Sequence, residues 1–363
     1  MTSSVLAVVG ARPNFVKSAP VIAALEQAEG ISVRLLHTGQ HYDPSLSGWF
    51  IERLRMPAPD ANLGVGSGSH AQQTAAALTG VEADLMEHPA DLVLVAGDVN
   101  STLAAALAAT KLHVGVAHIE SGLRSRDWEM PEEVNRVLTD RVSDVLLCTS
   151  PDAVENLAGE GITGDGVQLV GNTMIDSLLR LLEDVNRPAV LGRNAVKSRE
   201  FVMVTLHRPS LVDDPELLGP TMKVLAGLAD SIPVIFPVHP RTLERLAGTG
   251  AGWGKVILTP PMEYDDFIAL EAEARLVITD SGGVQEETSV LGTPCLTYRT
   301  TTERPITIEE GTNELVGVDP SALSEAAERS LTTDVPAKPP DIPLWDGKAG
   351  PRAAAAVEAF LNA

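Results

Sequence analysis

Ionisable and hydrogen-bonding side chains crowd the stretch from Ala117 to Asp140, AHIESGLRSRDWEMPEEVNRVLTD. Among them are His118, Glu120, Arg124, Arg126, Asp127, Glu129, Glu132, Glu133, Asn135 and Arg136. Carboxylates and arginines that meet in one crevice have their pKa values pushed apart, which is the condition proton-transfer chemistry needs. The preceding run VGVAHI reads as a buried strand, and VNRVLTDRVSDVLL has the apolar spacing of an amphipathic helix. Glu120 therefore falls at the carboxyl end of a strand. Glu132 and Glu133 fall in the first turn of a helix entered through Pro131. In an open parallel sheet, ligands bind at that strand edge. A surface loop with solvated ion pairs is the alternative; the charges' place at the end of an apolar strand speaks against it.

Other candidates share this placement. GARPNFVK (10–17) follows an apolar strand, and Arg12 and Lys17 can reach an anion over the helix N-terminus that it opens. It matches neither a dinucleotide fingerprint nor a Walker sequence. AGDVNST (96–102) sets Asp98 at a strand end, with capping and catalysis both open to it and Asn100 or Ser101 as helix caps. His118 and Glu120 stand two apart, so they point the same way if the strand persists. TLHRPS (205–210) places His207 and Arg208 at a strand end, and PVHPRT (237–242) repeats the layout with His239 and Arg241. In TDSGGVQEETSVLGTP (279–294), two glycines at a helix start let backbone N–H groups approach a phosphate, which the helix dipole favours. One turn on, Glu286 and Glu287 can hold a sugar's paired hydroxyls. A nucleoside diphosphate satisfies both halves. Arg304 and Thr302 follow in the loop 299–317. No His, Cys and Asp set has zinc-like spacing, so no metal is expected.

The elements that must position these groups alternate. Short, fully apolar, β-branched runs at 4–10, 32–39, 91–97, 114–119 and 144–150 are separated by helical patterns. Runs at 201–207, 232–239, 255–259, 275–280 and 294–298 repeat the plan. Such runs mark parallel strands covered on both faces by helices. A stretch at 186–200 reads as a linker, 330–352 as an irregular connection, and PRAAAAVEAFLNA as a closing helix. At 363 residues, two domains are the default. A net charge of -22 argues against nucleic acid or an anionic membrane as partner. Cys148 and Cys295 lie in or beside apolar strands and read as buried thiols in a reducing cytosol. No signal peptide or membrane span is expected, which implies a cytoplasmic protein.

At these residues the chain resembles the non-hydrolysing UDP-N-acetylglucosamine 2-epimerases. GARPNFVK, TGQHYD, AGDVNST, HIESGLR, MPEEVNRVLTD, VGNTMIDSL, TLHRP, PVHPR, TDSGGVQEE and TTERP occur in that family's order, from Gly10 to about Gly317. The resemblance implies an α/β, GT-B-like fold of two Rossmann-like doubly wound domains facing across a cleft. These would span 1–172 and 173–345, with a C-terminal helix (about 350–363) crossing back to the first, in a homodimer. It places the catalytic carboxylates at Asp98, Glu120 and Glu132 and the active-site histidine at His207. It further implies substrate-binding roles for Arg12, Lys17, Arg136, His239, Ser281, Gly282, Gly283, Glu287 and Arg304. Gln40 and His41, with His239, stand where some members bind an activating UDP-GlcNAc. The family's reaction removes the C2 proton as UDP leaves C1 and returns both, with no cofactor and no metal.

The chain also departs from the pattern. The usual HR-x-E-N is here HRPSLVD, without the Glu and the Asn, which directs attention to a C3-acetamido or C6-oxidised UDP-sugar. A hydrolysing relative, a glycosyltransferase of the same plan and a non-enzymatic sensor are the competing readings. The set Asp98, Glu120, Glu132 argues against the last two, since transfer needs one base and a sensor none.

Overall fold

Runs such as Leu92–Ala96, in which every residue is buried, form strands because both faces of each sheet are covered. The structure is a computed structural model describing residues 2–40, 44–238, 240–248, 253–335 and 338–363, without the side chains of 12, 44–47, 240–241 and 247–248. The chain divides into two α/β units, Met1–Leu181 with Pro343–Ala363, and Leu182–Ile342.

The first unit begins with β1 (Ser3–Val9), α1 (Arg12–Leu25), β2 (Ile31–His37), α2 (Pro44–Arg53), β3 (Ala61–Asn62) and α3 (His70–Glu87). It continues with β4 (Leu92–Ala96), α4 (Asn100–Lys111), β5 (Gly115–Ser121), α5 (Pro131–Val142), β6 (Val145–Cys148), α6 (Pro151–Gly159), β7 (Val167–Leu169) and α7 (Thr173–Asp184). Its sheet is wholly parallel, in the order β3-β2-β1-β4-β5-β6-β7. Leu6, Val8, Val93 and Val95 from the sheet pack on Val81 and Leu85 of α3 and the alanines of α4.

The second unit holds α8 (Arg187–Arg193), β8 (Val202–Thr205), α9 (Pro209–Val212), α10 (Pro215–Leu228), β9 (Val234–Pro237), α11 (Pro240–Gly248) and β10 (Ile257–Thr259). There follow α12 (Tyr264–Glu273), β11 (Leu276–Thr279), α13 (Gly282–Leu291), β12 (Cys295–Thr297), α14 (Ile306–Glu309), β13 (Asn313–Leu315) and α15 (Pro320–Thr332). The final helix, α16 (Ala349–Leu361), belongs to the first unit. The second sheet is also parallel, in the order β10-β9-β8-β11-β12-β13. Both sheets thus reverse their strand order once, between β1 and β4 and between β8 and β11. A doubly wound sheet opens a crevice at that reversal.

Three expectations need correction. The first unit runs through Leu181 rather than ending at 172, because α7 is tied into it. Ser177 Oγ donates to the Val16 carbonyl at 2.6 Å, and the Asp176 carboxylate accepts from the backbone of Ala349 and Gly350 at 3.0 and 2.7 Å. The stretch 186–200 is not a linker: it contains α8, and Val190 and Val196 are buried beside Phe201 and Met203. The stretch 299–317 is not simply a loop, since α14 and the edge strand β13 lie within it. Among the described residues, no helix is long and apolar enough to cross a membrane.

Candidate active site

The chemistry of the first unit gathers at its reversal point. Asn14 Oδ1 accepts from the backbone N–H of Gly10 and Ala11 at 3.0 and 2.9 Å, while its Nδ2 donates to the Ala96 carbonyl at 2.7 Å. One side chain thereby ties the end of β1 to the end of β4. One turn further along α1, the buried Lys17 ammonium pairs with the buried Glu120 carboxylate. Gly97 lies against it in the left-handed region (φ 65°), where an added Cβ would come within 3.1 Å of Lys17 Nζ.

Glu120 has φ 69°, a conformation uncommon for a residue with a Cβ. The pairing of β5 with β6 shifts register between Ile119 and Ser121. The strand alternation expected to align His118 with Glu120 is therefore broken: Glu120 meets Lys17, whereas His118 meets Asp140 at 2.7 Å and the Gly97 carbonyl at 2.8 Å. Backbone strain of this kind persists only where the surroundings over-determine it, as they do in binding and catalytic sites.

Asp98 follows Gly97 and pairs with Arg136 of α5, itself 1 % exposed. Asn135 Nδ2 donates to the Asp98 carbonyl at 2.9 Å. Asp98 does not cap α4, whose cap is Val99, with no capping side chain. Asn100 and Ser101 do not cap α4 either. The backbone N–H and Oγ of Ser101 both donate to Gln40 Oε1, at 3.1 and 2.8 Å. The adjacent glutamates of α5 differ. Glu133 is buried, pairs with Arg136 at 2.6 Å, and accepts from the backbone N–H groups of Ser125 and Arg126 at 2.9 Å each. Glu132 is exposed and one helical turn before Arg136, hence on the same face.

The second unit likewise gathers charged side chains at its own reversal point. His207, after β8, and Asp280, after β11, are joined by a 2.8 Å contact between Nδ1 and Oδ1. Asp280 Oδ2 also accepts the backbone N–H groups of His207 and Arg208, at 2.9 and 2.8 Å. Burial alone would raise the Asp280 carboxyl, but His207 and those N–H groups together hold it below its ordinary range. Ser281 caps α13 without a side-chain cap hydrogen bond, so the first-turn N–H groups stay open to an anion.

Gly282 begins that helix because nothing larger fits: a Cβ would stand 2.5 Å from Arg304 Nη1 and 2.7 Å from Glu303 Oε1. Arg304 is buried and held by Glu286 at 2.8 Å and by Glu303, so Glu286 is committed to that arginine. Glu287 instead accepts from the Tyr264 hydroxyl. Burial pushes its carboxyl up to about 7, against the opposing hydrogen bonds of Tyr264 and Glu271. Glu271, fully buried and beside a second carboxyl, is raised well above its ordinary value by burial and by Glu287.

The sequence profile of the UDP-N-acetylglucosamine 2-epimerase family matches residues 23–358. The chain belongs to that family. Among its relatives, the UDP-N-acetylglucosamine 2-epimerase of Methanocaldococcus jannaschii is 39 % identical over 95 % of this chain and 96 % of its own. The UDP-2,3-diacetamido-2,3-dideoxy-D-glucuronate 2-epimerase of Pseudomonas aeruginosa is 40 % identical, over 90 % and 92 %. The crystal structure of the M. jannaschii UDP-GlcNAc 2-epimerase in complex with UDP-GlcNAc and UDP matches with a TM-score of 0.89 at 38 % identity, covering 99 % of this chain and 100 % of that one.

In this epimerase, the first unit brings together Lys17, Asp98, Glu120 and Arg136 of the expected site. The second brings together His207, Ser281, Gly282, Gly283 and Arg304, with Glu287 further along α13. His41, His239 and the Arg12 side chain lie outside the described residues. Asp280, Asp140, Asn14 and Tyr264 escaped sequence reasoning. Only Asp280 carried a usable signal, as a strand-end acid directly before the glycine turn.

Proposed function

We propose that the chain interconverts UDP-N-acetylglucosamine and UDP-N-acetylmannosamine without net hydrolysis. The observation that carries this reading is the pair of ion pairs at one strand edge, Lys17 with Glu120 and Asp98 with Arg136. Two carboxylates, each steadied by a cation, suit a reaction that must take a proton from one face of C2 and return it to the other. As the C2–H bond breaks, its electron pair forms the C1=C2 bond of 2-acetamidoglucal, and the C1–O electron pair leaves with UDP. UDP then adds back at C1 and a proton is delivered to the opposite face of C2. Asp98, Glu120 and Glu132 are the proton-handling candidates, with His207 as a further acid or base. The uncapped N-terminus of α13 and the cramped Gly282 suit the departing diphosphate, with Glu287 at the ribose. Arg12, His239 and Arg304 complete the proposed UDP-sugar contacts. Gln40 and His41 belong to a proposed activator site, where Gln40 is already held by Ser101. A homodimer in the cytosol, serving cell-envelope polysaccharide synthesis, is the setting proposed with this reading.

The test is proton NMR with UDP-GlcNAc in deuterated water. Deuterium at C2 of a mixture of the two epimers is the expected result. Release of free N-acetylmannosamine with UDP would replace this reading with the hydrolysing one. A second reading is favoured by HRPSLVD, where α9 starts directly after His207 and Arg208, and by the P. aeruginosa relative. In it the substrate is a diacetamido or C6-oxidised UDP-sugar, and exchange would appear with that sugar and not with UDP-GlcNAc.

A further inference from the structure

His118 is fully buried, and both of its ring nitrogens face acceptors: Nδ1 lies 2.7 Å from Asp140 Oδ1 and Nε2 lies 2.8 Å from the Gly97 carbonyl oxygen. A backbone carbonyl can only accept, and an ionised carboxylate can only accept. A neutral imidazole donates from one nitrogen and would turn the lone pair of the other toward an oxygen at hydrogen-bond distance. Only the imidazolium satisfies both contacts. We infer that His118 is held as a buried imidazolium that locks the β4 and β5 ends together, a positioning residue for Asp98 and Glu120.

The surroundings fit a charge at this place. On α5, Asp140 Oδ1 takes His118, while its Oδ2 accepts the backbone N–H of Gly122 at 3.0 Å and Arg124 Nη1 at 2.6 Å. Arg124 in turn grips Glu160, just past α6, through Nε at 2.7 Å and Nη2 at 2.8 Å. Two cations thus alternate with two anions, and the chain of charges balances. Burial alone would raise the Asp140 carboxyl, but His118 and Arg124 hold it below its ordinary range. From the neighbouring elements, β4 leads into Asp98, α1 brings Lys17 beside Gly97, and β6 brings only Cys148, a thiol pushed up to about 12 by burial. The one charged side chain of α4 is Lys111, exposed at its far end.

The consequence is mechanical. The carbonyl that His118 holds belongs to the residue before Asp98, and the N–H that Asp140 holds belongs to the second residue after Glu120. Asp140 and Arg136 share α5, so one helix fixes both carboxylates, Asp98 through Arg136 and the turn after Glu120 through Asp140. A displacement on the order of 1 Å in such a frame costs about 10²-fold in rate.

The positioning role rests on the epimerase reading; the protonation state does not. The experiment is a long-range proton–nitrogen NMR spectrum of the full chain, ¹⁵N-labelled at histidine, at about pH 8.5, where an ordinary histidine is neutral. One histidine with protons on both ring nitrogens is expected, assigned by its absence in His118→Gln, or in Asp140→Asn should the first variant not fold. A neutral tautomer for His118 would overturn the inference, whatever the enzyme's substrate. In Asp140→Asn the imidazolium signal should vanish and kcat for C2 exchange should fall about 10²-fold with KM within about threefold. Wild-type kcat in a variant that has lost the imidazolium would remove the positioning role.

Discussion

Glu120 concentrates the demands on this molecule into one residue. It is buried, sits in a left-handed conformation, and carries a charge paired with another buried charge, Lys17. A buried ion pair is weak support for stability, because desolvation consumes much of the attraction. Its retention beside strained backbone is better explained by chemistry. Glu120→Gln keeps the shape and removes the charge. Turnover measured by C2 deuterium exchange should fall by at least about 10²-fold, with UDP affinity by calorimetry within about threefold. Wild-type exchange would remove Glu120 from the mechanism. At this scale the sequence was informative where a charged residue ends an apolar run, as with Asp98, Glu120 and His207. It was mute for Asn14, Asp140 and Tyr264, whose partners come from elements distant in the chain.

Two neighbouring helices of the second unit set charge against burial. Glu271 of α12 and Glu287 of α13 are both raised, the first well above its ordinary value and the second to about 7. Between about pH 4.5 and 7, the folded chain therefore holds more protons on this pair than the unfolded chain does. Stability must fall as pH rises through that window, by on the order of 3 kcal/mol for a shift of this size. Chemical denaturation of the second unit at pH 5 and at pH 7.5 should show the loss, and Glu287→Gln should lessen it. A wild-type profile with no fall across this range would refute the raised carboxyls. Among elements, long apolar strands and amphipathic helices were legible. The edge strand β13 and helix α8 were not, since β13 spans only Asn313–Leu315 and α8 lies in a charged, proline-containing stretch. Their burial comes from neighbours that periodicity cannot show.

At the scale of the whole chain, the second unit is continuous in sequence and has its own core, with Val202, Phe236, Ile278 and Leu323 fully buried in it. Residues 182–342 expressed alone should fold cooperatively and bind UDP, with an affinity readable by calorimetry. Failure to fold would show that this core depends on the remainder of the chain. The first unit is different in kind. It draws on both ends of the sequence, with Trp345 donating to the Thr149 carbonyl at 2.9 Å and the start of α16 meeting Asp176 of α7. The return of the closing helix to the first unit was implied by the family resemblance alone, while the two-domain plan was legible from the repeated strand pattern and the helix itself from the alanine-rich ending. The boundary was less so, because α7 reads as a helix whichever unit it joins.

That discontinuity sets an order of birth. On the ribosome, residues 2–181 emerge ahead of the second unit but lack α16, which packs against α1. The second unit, though later in the message, is complete in sequence by residue 342. The half that carries Lys17, Asp98 and Glu120 therefore cannot close before residues 343–363 are made, and a released chain truncated after residue 342 should be protease-resistant in its later part and sensitive in its earlier one.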